Sequence, residues 1–177
     1  MMAQGMVRRF LGKACLSRAL PALLVAACPA VRGASIMSGT YVGGGLEDVC
    51  AVVATDGGGN VYVAGHTGSS GWVGGGGDTT QNGQRDAFVV KFSPSGDHLW
   101  STFLGGESED DASGIALDGA GNVLVSGSTS SSGWVSGGWD VVRNRGWDGD
   151  PQWPRDGFVV KLSPAGAHAW SSYRGGA

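Results

Sequence analysis

Cysteine is scarce in this 177-residue chain, and its placement removes most of the chemistry it could do. Cys15 and Cys28 lie in the N-terminal segment, which leaves Cys50 alone beyond it. One thiol closes no internal disulfide, and no spacing resembles a metal site. Charge is low as well. Only 15% of residues are charged, the net charge is −3, and no basic cluster occurs beyond the N-terminus. Nucleic-acid binding through phosphate contacts is therefore not expected. No apolar run is long enough to span a bilayer, and no segment of useful length has a helical period. Glycine is what the chain has in excess, with 34 Gly beside 6 Pro, close to the level of low-complexity sequence. Seven Trp and several Val-rich runs nonetheless supply the apolar area that disordered chains lack, and the length suits one domain.

Residues 1–34 read as an export signal. Arg8, Arg9, Lys13 and Arg18 form a basic start, Ala19 to Ala27 a short apolar stretch interrupted by Pro21, and Val31-Arg32-Gly33 before Ala34 an acceptable cleavage context. Within it, Val25-Ala26-Ala27-Cys28 resembles the lipobox of bacterial lipoproteins, which would make Cys28 a lipidated N-terminus. The plainer reading is a small residue near the end of an apolar region, in a freely secreted protein. Under either, the expected location is secreted or cell-surface, with the membrane touched only through a lipid anchor.

Self-similarity organises everything after that. Tyr41-Val42-Gly43-Gly44 recurs as Phe103-Leu104-Gly105-Gly106, and again as Tyr173-Arg174-Gly175-Gly176. DGGGNV from Asp56 recurs as DGAGNV from Asp118, and Ser70-Gly71-Trp72-Val73 as Ser132-Gly133-Trp134-Val135, all at an offset of 62 positions. Later, Asp86 to Lys91 matches Asp156 to Lys161, and Ser93-Pro94-Ser95-Gly96 matches Ser163-Pro164-Ala165-Gly166, at an offset of 70. The second copy has gained eight residues between Val135 and Asp156. A loop absorbs such an insertion, whereas a strand would lose its register. The repeats are placed at residues 38–106 and 107–177, with the insertion within 136–155.

Each copy reads as four strands. In the first copy Ala51–Thr55 is almost wholly apolar, as expected of a strand buried on both faces. A turn at Asp56–Asn60 leads to Val61–His66, and Ala87–Phe92 alternates Phe88, Val90 and Phe92 against Val89 and Lys91. Ser93–Asp97 turns into His98–Leu104. Tight links within the pairs and a long Gly-rich loop between strands two and three predict an antiparallel meander, the shape of a propeller blade.

The run GIALDGAGNVLVSGSTSS, followed by DGFVVKLSPAGAHAWSSYRGG, resembles the bacterial SBBP-type β-propeller repeat and, more distantly, NHL-type blades. The resemblance covers about residues 38–177. It implies an all-β chain of two four-stranded antiparallel propeller-like blades, from a class of secreted or cell-surface bacterial proteins, and brings no catalytic residues with it. Closed propellers use about 4–8 blades, so two imply several chains completing one ring, a small two-sheet sandwich, or a piece of a longer array.

Candidate sites follow from the motifs. Glu47-Asp48 and Glu109-Asp110 precede the first strand of each copy, where carboxylates from several blades would converge on a cation; the alternative is that they cap backbone N–H groups at the blade junction. Nothing forces convergence, so no metal and no cofactor is assigned. The DGGGN and DGAGN turns lack the ligand count of a calcium loop. Trp72 and Trp134 are expected to fill gaps between blades. In the insertion, Trp139, Trp147 and Trp153, interleaved with Arg143 and Arg145, form the expected ligand-binding surface for a glycan or protein partner. His66, His98 and His168 are scattered and point to no nucleophile. The expected function is a non-enzymatic extracellular structural or binding module; the alternative is an enzyme, or part of one, acting on extracellular polysaccharide.

Overall fold

The computed structural model describes residues 39–143 and 155–174, and the chain divides into two compact units, Met1–Tyr41 and Val42–Ala177. Residues 1–34, read above as an export signal, lie with Cys28 outside the described residues, as do Arg145, Trp147 and Trp153. The second unit holds eight strands: β1 (Asp48–Thr55), β2 (Val61–Thr67), β3 (Asp86–Phe92), β4 (His98–Leu104), β5 (Asp110–Leu117), β6 (Val123–Thr129), β7 (Asp156–Leu162) and β8 (His168–Arg174). They form two four-stranded antiparallel sheets in the orders β1-β2-β3-β4 and β5-β6-β7-β8. Neither sheet closes on itself, and no helix occurs among the described residues. The chain is all-β, with two propeller-like blades.

The turns hold because short polar side chains replace missing backbone partners. Asp56 Oδ1 accepts from the N–H groups of Gly58 and Asn60, both at 2.9 Å, and Asp118 Oδ1 does the same for Ala120 and Asn122 at 3.0 and 2.9 Å. Both first strands carry the same bulge, between Cys50 and Val52 and between Ala112 and Gly114. Opposite the bulges stand Gly65 and Gly127, where a Cβ would come within 1.8 and 2.0 Å of the carbonyl oxygens of Val49 and Asp111. The bulge brings backbone so close that only glycine fits.

The long loop between strands two and three does not hang free. It crosses to the outer edge of the fourth strand and hydrogen-bonds there. Ser101 N donates to Gly74 O at 2.8 Å and Phe103 N to Asp78 O at 2.9 Å; in the second blade Ser171 N donates to Ser136 O and Tyr173 N to Asp140 O, both at 2.8 Å. This covers an edge that would otherwise expose a ladder of unmet groups. It also accounts for the glycine excess at this place: a Cβ at Gly76 would lie 2.4 Å from Ser101 O, and one at Gly138 2.1 Å from Ser171 O.

These bonds locate the insertion more closely than sequence matching does. Thr80 N bonds Asp78 Oδ1 as Val142 N bonds Asp140 Oδ1, so the 62-position offset persists through Val142. Trp139 therefore has a counterpart in the first blade, Gly77, and the extra residues fall after Val142.

The blades stack with unlike faces together. Tyr62, Ala64, Ala87, Val89, Trp100 and Leu104 on one side of the first sheet meet Val123, Val125, Phe158, Val160 and Leu162 of the second. Trp100 anchors the contact. Its Nε1 donates to Pro164 O at 3.0 Å, and its ring lies over Gly166, where a Cβ would come within 2.7 Å of the indole. The opposite side of the first sheet gathers Phe88, Val90 and Phe103 under Trp72 and Val73.

The expectation that the first strand is buried on both faces fails for β1. Val53 is 66% exposed, and Val49, Cys50, Ala51 and Thr55 are exposed as well. The strand is an edge, and within the described residues no sheet covers its outer side. Trp134 packs against the core between the blades, in edge contact with Phe158, whereas Trp72 lies on the far side of the first sheet against its own Phe88 and fills no gap between blades; both ring pairs are 5.1 Å apart between centroids.

Trp100→Ala should cost about 4 kcal/mol of stability, the range for emptying a buried aromatic site. Trp100→Phe should cost less, mainly the lost N–H donor at about 1 kcal/mol. Urea unfolding followed by far-UV circular dichroism measures both; a loss below about 1 kcal/mol for the alanine variant would remove Trp100 from its anchoring role.

Candidate functional site

Four aspartates begin strands: Asp48, Asp86, Asp110 and Asp156. The first three cap loops. Asp110 accepts from Gly106 N at 2.9 Å, from Ser131 Oγ at 2.7 Å and from Thr129 Oγ1, and is fully buried. Asp48 repeats this with Gly44 N at 2.9 Å, Ser69 Oγ at 3.2 Å and Thr67 Oγ1. Asp86, also fully buried, takes the N–H groups of Asn82 and Gly83 at 2.9 and 3.0 Å. Glu47 is exposed and Glu109 half-buried. The acidic pairs are thus split. The aspartates satisfy backbone donors, and Glu109 joins a separate ionic cluster. No group of three metal-binding side chains converges among the described residues.

That cluster lies where the blades meet. Arg85, just before β3, bonds Asp111 at 2.9 Å and approaches Glu109 at 3.5 Å. Arg155, just before β7, reaches the same two carboxylates. His66 Nδ1 is 3.0 Å from Asp111 Oδ1, and Asp110 N donates to Arg85 O at 2.8 Å. Burial alone would raise the Asp111 carboxyl; the hydrogen bond from Arg155 and the charges of Arg155, Arg85 and His66 outweigh it and hold it below the usual carboxylate range. Two guanidinium groups, two carboxylates and an imidazole pair their charges here, which is the chemistry of a clasp. Sequence matching passed over the cluster because half of it is not repeated. Val49 stands where Asp111 would recur, and Ser128 where His66 would. The Arg85–Arg155 repeat was legible one position before the matched DAFVVK run.

The second feature is an open groove on the outer side of the second sheet, lined by Gly137, Gly138, Trp139, Val159, Trp170 and Ser172. Trp139 is 91% exposed. Of the five residues expected to form a ligand surface, the described ones are Trp139 and Arg143. Trp139 sits on the edge-covering loop against the sheet, and Arg143 is half-buried at the end of the described loop segment. Trp170 and Val159 belong to the groove and were not singled out. Their signal was the alternation of β7 and β8, which puts them on the face opposite Phe158 and Tyr173.

Two open, stacked four-stranded meanders, each with its fourth-strand edge covered by its own loop, define a repeat protein of the β-propeller type. Residues 99–133 match the family model for SBBP, a β-propeller repeat, and the chain carries that repeat. The matched stretch runs from β4 of the first sheet through β6 of the second and includes Glu109 and Asp111, the carboxylates of the junction cluster. No curated protein matches the chain.

Burial pushes the Asp86 carboxyl up to about 6 and also raises Asp110, while Asp111 is lowered. A carboxyl raised above its unfolded value of about 3.9 favours folding while protonated, and that contribution is lost as pH rises through the folded value. For Asp86 it amounts to about 3 kcal/mol between pH ~4 and ~6. Asp111 works the opposite way: its stabilisation is present above pH ~4 and lost below. The melting temperature should therefore rise on acidification from pH 7.5 to about 5 and fall below about 4. Asp86→Asn should flatten the rise, as a thermal melt at each pH will show.

Proposed function

We propose that the chain is a non-enzymatic structural and binding module working outside the cytoplasm, and that it makes its contact through the outer face of the second sheet. The observation that carries this reading is the groove beside Trp139. A large indole stands exposed over an apolar groove, on a scaffold whose strand-starting aspartates and junction carboxylates are engaged in capping and ion pairing. Aromatic anchors of this kind supply most of the energy at contact surfaces. The extracytoplasmic location rests on the basic start, short apolar stretch and small residues of positions 1–34. Asp110 and Glu109 are poor choices for acid–base work, since one is buried among cap donors and the other is held by Arg155 and Arg85. That weighs against the reading as a polysaccharide-degrading enzyme.

When the full chain is produced in a bacterial host and the cells are fractionated, it should appear in the envelope or the culture fluid. Its envelope-bound share should fall about tenfold in Trp139→Ala, the scale of losing one aromatic anchor worth 1.4 kcal/mol. A cytoplasmic chain, or binding indifferent to Trp139, would overturn the reading. Polysaccharide turnover lost in Glu109→Gln or Asp110→Asn would replace it with the enzyme.

A further inference from the structure

The largest differences in burial between equivalent residues of the two blades fall on the outer face of each sheet. On the first sheet Val61, Val63 and Phe92 are half-buried, while their counterparts Val123, Val125 and Leu162 are fully buried against the neighbouring blade. Cys50 is exposed where Ala112 is 2% exposed. On the second sheet the comparison reverses. Tyr62, Val89 and Trp100 are buried in the first blade, and their counterparts Leu124, Val159 and Trp170 are half-exposed. Each end of the stack repeats one half of the interface in its middle, and among the described residues no second sheet covers it.

From this we infer that the outer face of the second blade receives the first blade of a second copy of this chain, head to tail. This rests on the contact surface assigned above and names its occupant. The internal interface supplies the docking geometry. Trp100 Nε1 bonds Pro164 O, and Gly77 N bonds Gly166 O at 3.1 Å. In the second contact Trp170 takes the place of Trp100, and the turn Ser93-Pro94-Ser95-Gly96 of the second copy takes the place of Ser163-Pro164-Ala165-Gly166. That turn is available: Pro94, Ser95 and Gly96 are exposed, whereas Gly166 is buried under Trp100. Val159 and Leu124 then lie against Val63, Val61 and Phe92 of the second copy, as Val89 and Tyr62 lie in the same cluster as Val125 and Val123.

Three differences make the contact between copies weaker than the internal one. Ser126 replaces Ala64 and Arg174 replaces Leu104 on the receiving face, and Val49 replaces Asp111 in the ionic clasp. Trp139 replaces Gly77 and adds an indole beside the incoming turn. A Cβ at Gly77 would sit 3.3 Å from Gly166 O and His168 N, so the turn must yield by a few tenths of an ångström to admit it. A head-to-tail contact uses two different surfaces. It closes into a ring where the rotation per chain allows and otherwise extends as an open chain.

Light scattering on the full chain over a range of concentrations should show mass above that of one chain. A discrete trimer or tetramer would be a closed ring, and a steadily rising mass an open chain; both support the inference. Val53→Glu spoils the first face at a position already 66% exposed, and Val159→Glu spoils the second. Each variant alone should be monomeric with an unchanged far-UV spectrum, and an equal mixture should form a 1:1 pair, because each retains the surface the other lacks. Thr55→Arg, also at an exposed site, substitutes for Val53→Glu if that variant misfolds. A monomeric wild-type chain, or an oligomer whose folded variants do not pair on mixing, would overturn the inference. A monomer that still reaches the envelope through Trp139 leaves the functional reading intact. A self-associating chain that remains in the cytoplasm removes the functional reading and leaves this one.

Discussion

The packing of one sheet's face on the next is the constraint from which the rest of this structure follows. A four-stranded antiparallel meander with apolar residues on both faces has no solvent side, so it is unstable until each face is covered. Here Trp100 brings the faces together, and Gly166 is glycine because the indole occupies the space of a side chain. Most of the core lies between the blades, and the first sheet seals Val123, Val125 and Leu162, whose counterparts Val61, Val63 and Phe92 are only half-buried. The same requirement explains why the first sheet's other side draws in Trp72 and Val73 from its own loop.

Polar groups solve the problems that this stacking creates. Strands that start inside a packed junction carry backbone donors with no water to meet them, and unmet donors there are costly. Asp48, Asp86 and Asp110 supply acceptors at those points. The consequence is electrostatic strain: a carboxyl kept from water prefers its proton, and both Asp86 and Asp110 are shifted that way. The junction cluster runs in the other sense. Asp111 and Glu109 face two guanidinium groups, so their charge is matched. Such a clasp adds little net stability, since drawing ions out of water offsets most of their attraction.

Much of this was legible beforehand, and the reason is that the informative features are local. Alternation along β2, β3 and β4 gave those strands to within a residue at each end. The DGGGN and DGAGN runs have the composition of hairpin turns and form them. The Gly-rich loop was recognised as a loop, but its path across to the edge of β4 depends on bonds to Ser101 and Phe103, which no composition encodes. β1 was misjudged for a related reason. An apolar run of five residues looks alike in a central strand and in an edge strand, and only the presence of a covering sheet separates them. For the candidate site, Trp139 was recognised as an aromatic in a loop, while its neighbours Trp170 and Val159 went unnoticed because they sit in the repeated part of the chain.

What the sequence by itself determined is the period of the chain: two copies, four strands each, turns at the Asp-Gly-rich points, and no helix-forming pattern. Those properties arise from side chains within a few residues of one another, and the repeat states them twice. Tertiary structure alone decided which of two equivalent residues is buried. Val123 and Val61 hold equivalent positions in their own sheets, yet one is sealed and the other half-open. It likewise decided that Trp139 stands where Gly77 does, and that Arg85 meets Glu109 and Asp111 across the junction. Burial and ion pairing depend on what lies about ten ångströms away through space, a distance along which the chain's own order carries no information.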